Sequence, residues 1–354
     1  MTSPVCIVVP SLKITGGTKE IVTLARDIVA SGGEARIVVM WRTPDEVTCS
    51  PIPVNYLSTN TISPVRVLTG IPAVAARFVA LKRRQPDARW VLSHYVTYAL
   101  APLVSGKQLW FFVQDLEWTF VPARLQGVMR RFILATLTRG RTLAANSYLA
   151  ASLAVNRVPV AATIPIWASP AFRGAMDRRR DVNVVLMMRR GAHKRVDLAQ
   201  RVLALRQQHP ANIRMAVITP NNEFAEMVHG DPGIQLLLRP TPDEMRALYE
   251  RTRVFLLLSE HEGFGLPPLE AMGSGCVPLC RDAGGVRAYM RDELKDNLLP
   301  LSLEIEDVLE RAVTLSLDEV RLTRLQPVAR RIFEDGLEQV AQRPADLAAS
   351  GILS

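Results

Sequence analysis

Short apolar runs alternate with stretches of helical periodicity along this chain, and that alternation constrains the fold more than any other feature. The run VCIVVP (5–10) ends in turn residues, as a buried parallel strand does. Residues 16–33 repeat apolar side chains at helical spacing and end at a Gly-Gly pair. A second strand, ARIVVMW (35–41), follows. Strand, helix and strand in succession form a βαβ unit, so we expect a parallel sheet.

The alternation occurs twice. The segment 164–180 is rich in proline and then basic, and we interpret it as a linker. Two successive halves predict an α/β protein with two Rossmann-like, doubly wound parallel-sheet domains that face each other across a cleft. We expect an N-terminal domain at 1–170, a C-terminal domain at 171–330 and a helical tail at 331–354 that packs back toward the first domain. The pattern predicts further strands at 89–94, 108–114, 142–146, 182–188, 214–218, 234–238 and 254–259, and helices at 72–84, 123–138, 194–210 and 241–252.

Charge is unevenly distributed. Residues 1–172 carry 18 Lys and Arg against 8 Asp and Glu, a net charge of +10, whereas the remaining 25 and 26 nearly cancel. Such an excess suits a phosphorylated ligand or an anionic membrane surface, and it also suits an ordinary solvated face. Nucleic acid is not expected as a partner, because the chain lacks the aromatic interleaving and the motifs of that class.

Cysteine usage and hydropathy indicate a cytoplasmic protein. The apolar runs, such as VFLLL (254–258), are far shorter than the ~20 residues of a membrane span. The first residues lack a basic region ahead of their apolar run, so we expect no signal peptide. The four cysteines have no zinc-ligand spacing, and buried thiols are the expectation.

The stretch SEHEGFGLPPLEAM (259–272) predicts a binding site. It directly follows a predicted strand, where ligands of parallel sheets bind. Gly263 and Gly265 allow tight turns, and Pro267 favours a helix start whose free N–H groups attract an anion. Glu262 and Glu270 supply acceptors for hydroxyl groups. We therefore expect a diphosphate with a hydroxylated ring at each end.

A diphosphate also requires cations. The segment MMRRGAHKRVD (187–197) follows another predicted strand and supplies Arg189, Arg190 and Lys194. No Asp-x-Asp pair occurs in the sequence, so we expect a metal-independent site without a further cofactor. Arginine and lysine would then stabilise the leaving diphosphate.

On these segments the sequence resembles glycosyltransferase family 4, whose members have the GT-B fold of two Rossmann-like domains. The stretch SEHEGFGLPPLEAMGSGCVPL is similar to its Glu-x7-Glu signature, MMRRGAHKRVDLAQ to its Arg-x4-Lys segment and DAGGVRAYM to its Gly-Gly turn. The resemblance covers nearly the whole chain but is specific over about 184–290.

The resemblance implies a role for each matched residue. Glu270 would hold the nucleotide ribose, and Glu262 the donor sugar. Arg189 and Lys194 would carry the diphosphate, and the reaction would retain the anomeric configuration. The glycine loop Gly16-Gly17 would face the phosphates. The amides that would help Glu262 to hold the sugar and the distal phosphate are those of Gly263, Phe264, Gly265 and Leu266.

One departure bears on the donor. Many family members end the strand that matches FFVQD with a His-Asp pair near the sugar's hydroxymethyl group, whereas this chain has Gln114 and Asp115. The stretch FVQDLEW resembles a subgroup that includes rhamnosyltransferases. A 6-deoxy sugar such as rhamnose is therefore favoured, with mannose- and glucose-type donors left open. His94, at another strand end, faces the acceptor or is a structural histidine.

The expected function is a retaining transfer of a hexose or deoxyhexose to a cell-surface glycan or lipid-linked acceptor. The donor would be linked to dTDP, GDP or UDP. The alternative is a GT-B scaffold that binds a nucleotide sugar or a partner without turnover. The basic helices of the first domain are either core-facing or form a surface for the inner face of the cytoplasmic membrane.

Overall fold

The computed structural model describes residues 3–209 and 211–353, and the side chains of residues 64–68 are not among those described. The chain forms two compact units. The first comprises Met1–Ile166 and Val340–Ser354, and the second comprises Trp167–Gln339. The boundaries therefore fall at 166/167 and 339/340, where the sequence interpretation placed them at 170/171 and 330/331.

The first unit is built on a parallel sheet with strand order β3-β2-β1-β4-β5-β6-β7. Strands β1, β2, β4 and β5 are buried almost throughout, because helices cover parallel sheets on both faces. The strands are β1 (Val5–Val9), β2 (Ala35–Val39), β3 (Val54–Tyr56), β4 (Arg89–Leu92), β5 (Leu109–Val113), β6 (Arg141–Ala144) and β7 (Val160–Thr163).

Two helices of the first unit begin at residues whose side chains cap them. The Thr15 side chain accepts a hydrogen bond from the Thr18 N–H, and the Asn146 side chain accepts one from the Leu149 N–H. The helices are α1 (Gly16–Ala30), α2 (Pro64–Arg84), α3 (Ala123–Leu137) and α4 (Ser147–Val155).

The second unit repeats the architecture with strand order β10-β9-β8-β11-β12-β13. Thr241 and Glu244 form a reciprocal capping box at the start of one helix. The strands are β8 (Val182–Met187), β9 (Met215–Thr219), β10 (Ile234–Leu238), β11 (Thr252–Leu257), β12 (Val277–Arg281) and β13 (Leu298–Leu299). The helices are α5 (Val196–Gln208), α6 (Asn222–Val228), α7 (Pro242–Glu250), α8 (Leu266–Met272), α9 (Ile305–Leu317) and α10 (Glu319–Ala341).

The last helix, α11 (Arg343–Ser350), belongs to the first unit and contacts α1 and β7. Arg343 is 1% exposed and lies between two carboxylates of α1, with its Nη1 3.2 Å from Glu20 Oε2 and its Nε 2.8 Å from Asp27 Oδ2. The Arg89 guanidinium also donates to the Ile352 carbonyl oxygen at 2.5 Å. The C-terminal residues therefore complete the packing of the first unit.

Both sheets confirm the expected Rossmann-like parallel architecture. Each strand order reverses direction at one point, between β1 and β4 in the first sheet and between β8 and β11 in the second. Ligands of open α/β sheets bind beyond the carboxyl ends of the strands at such a point. Within the described residues, no helix is long and apolar enough to cross a bilayer, and all four cysteines are buried and free, as expected.

Candidate functional site

The expected donor-site residues lie at the point where the second sheet reverses its strand order. Arg189 and Lys194 follow β8, Glu262 follows β11, and these two strands are hydrogen-bonded neighbours. The Glu260 N–H donates to the His193 carbonyl oxygen at 2.8 Å. The two loops are therefore tied together at the carboxyl edge of the sheet.

Lys194 and Glu262 form an ion pair. Lys194 Nζ donates to Glu262 Oε2 at 2.8 Å, and the two side chains are 22% and 11% exposed. The positive φ of Gly191 (129°) and Arg195 (50°) turns the loop between β8 and α5 so that Lys194 reaches this position. A partly buried ammonium group at a strand end is well placed to attract a phosphate.

The backbone around Glu262 is tightly constrained. Glu262 bridges to Gly284, with its N–H donating to the Ala283 carbonyl oxygen and its own carbonyl oxygen accepting from the Gly285 N–H at 2.9 Å. A Cβ atom on Gly285 would lie 2.2 Å from the Gly263 carbonyl oxygen. Only glycine fits at position 285, because the two backbones approach too closely for a side chain.

Gly265 fixes the turn into α8. Its φ is +81°, and a Cβ atom there would lie 2.9 Å from the Tyr289 hydroxyl oxygen. That hydroxyl donates to the Gly265 carbonyl oxygen at 2.6 Å and is fully buried. The glycine-rich segment is thus held in one conformation by a hydrogen bond from the Gly-Gly turn region.

The helix start differs in detail from the expectation. Helix α8 begins at Leu266, one residue before Pro267, and Pro267 and Pro268 contribute no N–H. The amide donors near Glu262 therefore belong to the loop rather than to the first turn of α8. The Phe264 side chain is buried between Trp167 and Tyr289, so only its backbone is available to a ligand.

Glu270 lies half-buried on α8, and Arg189 is exposed just beyond β8. Arg189 forms no ion pair with any residue that the structure describes. Burial raises the pKa of Tyr249 well above its usual value, with a further rise from Glu270 and an opposing effect of Arg189. Both charged groups, Glu270 and Arg189, therefore lie close enough to Tyr249 to affect its pKa. The Tyr249 hydroxyl is buried without a hydrogen-bond partner among the described residues.

Gly16, Gly17 and Gln114 come together where the first sheet reverses its strand order. The two glycines open α1 after β1, and Gln114 follows β5. A Cβ atom on Gly17 would lie 3.2 Å from Gln114 Oε1, so a larger residue would displace the glutamine. Gln114 Oε1 is itself buried and accepts no hydrogen bond from a described residue.

His94 follows β4 and is held by its own turn. Its Nδ1 accepts a hydrogen bond from the Val96 N–H at 3.2 Å, which places the ring proton on Nε2. Burial lowers the pKa of His94 to about 4, so the imidazole is neutral at physiological pH. Its Nε2 lies 4.0 Å from Glu117 Oε1. These contacts favour a structural role for His94 over a role in which its ring contacts the acceptor.

Asp115 caps the turn after β5, where its Oδ1 accepts the Leu116 N–H at 2.7 Å. Glu117, which the sequence interpretation did not select, is 6% exposed. Burial, reinforced by the Asp115 carboxylate, raises the pKa of Glu117 well above its usual value. The available signal was its position in QDLEW, an acid directly after a buried strand.

Metal-ligating side chains do not cluster in the described parts of the chain, where no group of three or more His, Cys, Asp or Glu is close enough to hold an ion. The cations near the expected diphosphate position are Lys194 and Arg189.

Comparison with known proteins gives a family match within the second unit. Residues 170–331 match the family described as "Glycosyl transferases group 1". The matched range contains the Arg189–Lys194 loop and both glutamates. It covers most of the second unit.

Curated relatives match over shorter stretches. A GDP-mannose:cellobiosyl-diphosphopolyprenol alpha-mannosyltransferase of Komagataeibacter xylinus is 25% identical over 173 residues, which is 45% of this chain and 44% of the relative. The enzyme of the same name in Xanthomonas oryzae pv. oryzae is 41% identical over 49 residues, 14% of this chain and 13% of the relative. The matched segments thus span less than half of these relatives.

Solved structures match nearly end to end at low identity. Sucrose-phosphate synthase from Thermosynechococcus elongatus has a TM-score of 0.72 at 16% identity, covering 98% of this chain and 96% of that one. WaaG, a glycosyltransferase involved in lipopolysaccharide biosynthesis, has a TM-score of 0.70 at 13% identity, covering 99% of both chains. The chain therefore has the GT-B fold, and its residues 170–331, less than half of its length, match the model of the group 1 glycosyl transferases.

Proposed function

We propose that the protein is a glycosyltransferase that moves a hexose from a nucleotide diphosphate sugar to a glycan or lipid-linked glycan acceptor. The observation that carries the proposal is the Lys194–Glu262 pair at the reversal point of the second sheet. It places a cation for the diphosphate beside a carboxylate for sugar hydroxyls, at the edge where such sheets bind ligands.

Each donor-site group has a distinct task in this proposal. Lys194 exchanges part of its contact with Glu262 for the diphosphate, and Arg189 supplies a second charge. Glu262 then accepts hydrogen bonds from the sugar, and Glu270 accepts them from the ribose. Support for these roles comes from the short distance between Lys194 and Glu262 and from the freedom of Arg189 to pair with a ligand.

The proposed reaction retains the anomeric configuration. The bond from the anomeric carbon to the diphosphate breaks, and its electron pair leaves with the diphosphate. The acceptor oxygen bonds to the same face of that carbon, and its proton passes to a phosphate oxygen. Lys194 and Arg189 stabilise the negative charge that grows on the diphosphate in the transition state, without a metal ion.

GDP-mannose is the first donor to test, because the two curated relatives described above are named for it. A dTDP- or UDP-linked donor, including a rhamnose donor, remains the alternative. The reason for the rhamnose alternative is Gln114, whose buried Oε1 lies beside Gly17 in the first unit. A glutamine there offers a different hydrogen-bonding group from the histidine of many family members.

We also propose that α3 docks on an anionic membrane surface. Leu125, Val128 and Phe132 recur at helical spacing and are 47%, 69% and 46% exposed; we call them the α3 apolar face. Basic residues beside an exposed apolar row suit anionic lipid, and α3 contains no acid. The arginines of α3 are Arg124, Arg130 and Arg131.

Sedimentation with vesicles tests the membrane proposal. We expect binding to phosphatidylglycerol-containing vesicles, weaker binding to phosphatidylcholine alone, and loss of binding in a Val128→Glu/Phe132→Glu variant. Val320→Glu, at another exposed apolar residue (84%), is the control. Equal sedimentation of the double variant and the wild type would contradict the proposal.

A melting panel followed by a transfer assay tests the main proposal. We expect one of GDP, UDP or dTDP to raise the melting temperature while duplex DNA does not, since a ligand that binds the native state stabilises it. The matching nucleotide sugars, with GDP-mannose first, are then assayed for transfer. Binding without turnover would favour a non-catalytic scaffold, and no stabilisation by any nucleotide would refute the donor site.

A further inference from the structure

Glu117 is a buried acid for which the proposed reaction has no task. It follows β5 in the first unit and is 6% exposed. The groups that face it come from two segments: His94, Tyr95 and Tyr98 after β4, and Asp115 after β5. The carboxyl group thus lies between the segments that follow two neighbouring strands of the sheet.

These neighbours supply polar groups but no positive charge. The Tyr95 N–H and the Tyr98 hydroxyl face the Glu117 carboxyl group, and both act to lower its pKa. His94 Nε2 is 4.0 Å away, which is too long for a hydrogen bond, and no lysine or arginine of the described residues forms an ion pair with Glu117. Its Oε2 is buried and has no hydrogen-bond partner in the described chain.

A carboxylate in this setting is costly. An ionised carboxyl group that is buried without a cation loses its hydration and gains no compensating charge, so the neutral acid is favoured. The adjacent Asp115 acts in the same direction. His94 cannot compensate by protonation, because its Nδ1 already accepts the Val96 N–H. Both members of the close pair, Glu117 and His94, are therefore uncharged.

We propose that Glu117 is a positioning residue, whose neutral carboxylic acid joins the segment after β5, with Gln114 and Asp115, to the segment after β4, with His94. The acid faces Tyr95 and Tyr98 and keeps its own proton. Ionisation breaks this arrangement, because a charged carboxylate at this place requires solvent. The positions of Gln114 and His94 at the sheet edge then change together.

Stability against pH tests the charge state directly. A carboxyl group whose pKa is raised on folding binds its proton more tightly in the native state, so the wild type loses stability as pH rises above the ordinary value near 4.5. Glu117→Gln keeps the shape and cannot ionise. We expect its melting temperature to rise relative to that of the wild type with each pH unit from 5 to 9. A difference that does not change with pH would overturn the proposal.

Transfer activity tests the positioning role, and this arm rests on the proposed function. We expect Glu117→Gln to keep at least half of the wild-type kcat/KM at pH 7 and to lose the wild type's decline at high pH. Glu117→Met fills a similar volume without polar groups, and its kcat/KM should fall at least tenfold. Equal activity of the Met and Gln variants would contradict the role. If the wild type transfers no sugar, the proposed function fails. The melting comparison still tests whether Glu117 is protonated in the native state.

Discussion

The carboxyl ends of the two sheets carry side chains in different charge states. At the reversal point of the second sheet, a lysine and a glutamate form a close ion pair and an arginine is free of any described ion pair. Beyond β4 and β5 of the first sheet, burial favours the neutral forms of His94 and Glu117, with His94 Nε2 4.0 Å from Glu117 Oε1. The first unit is nevertheless the more basic one. Local solvation and pairing, rather than net charge, thus set the charge state at each sheet end.

The largest effect should come from removing the ion pair in the second unit. We expect Lys194→Ala and Glu262→Ala each to lower kcat on the order of 10²–10³-fold, because an aligned charge at the leaving group is lost. Circular dichroism should show that both variants are folded. Lys295→Ala, an exposed lysine of the same unit, is the control. Near-normal turnover in both site variants would show that Lys194 and Glu262 do not take part in the transfer reaction.

A second test addresses the backbone that positions Glu262. Gly285→Ala places a Cβ 2.2 Å from the Gly263 carbonyl oxygen, so one of the two loops must move. We expect a loss of about 1–3 kcal/mol in the free energy of unfolding, measured by urea denaturation, together with weaker nucleotide binding. Gly230→Ala is the control because its Cβ would meet no atom within 4 Å, although its φ of +83° will cost some strain. A Gly285 variant as stable as the wild type would show that the loops are adaptable.

Two buried tyrosines of the second unit give a matched pair. Tyr289 donates to the Gly265 carbonyl oxygen at 2.6 Å, whereas the Tyr249 hydroxyl has no hydrogen-bond partner among the described residues. We expect Tyr289→Phe to cost about 1–2 kcal/mol of unfolding free energy and Tyr249→Phe to leave it unchanged or raise it. Equal losses of unfolding free energy in urea denaturation would mean that the Tyr249 hydroxyl makes a hydrogen bond as stabilising as that of Tyr289.

A pH-dependent effect concerns His94 in the first unit. Its pKa is lowered to about 4 by burial, so the unfolded state binds more protons between about pH 6.5 and 4. The wild type should therefore lose stability as pH falls through this window, by less than the ~1.4 kcal/mol per unit of one full proton. His94→Asn should lack this slope in melting experiments. A slope equal to that of the wild type would show that His94 is charged in the native state.

Much of the fold could be predicted because parallel strands are buried and short, and their apolar runs are visible in the sequence. Strand β10 was expected at its observed bounds, 234–238, and helix α3 was expected within one residue. Strand β3 was missed because it is only three residues long and half-buried, so it carries no continuous apolar run. Strand β7 was missed for a similar reason, since none of its residues is fully buried.

The site could be predicted where one segment contains the whole signal. Glu262, its glycines and Glu270 lie within nine residues of one another, and Lys194 was expected at a second strand end. Contacts between distant segments could not be predicted. The Tyr289 hydroxyl bonds a residue 24 positions away, and Glu117 is a candidate only because residues 94–98 surround it. Burial and proximity of this kind depend on how distant segments are arranged in the fold. The residue pattern of a single segment does not reveal that arrangement.

The return of residues 340–353 to the first unit has a consequence for how the protein is made. Arg343 pairs with Glu20 and Asp27, and Leu353 packs over Gly33, yet these partners are synthesised more than 300 residues apart. A ribosome that adds about 5–20 residues per second needs roughly ten to thirty-five seconds to translate the intervening second unit. During that delay the nascent first unit holds two uncompensated acids on α1. The first unit can therefore complete its packing only after the whole second unit has been translated.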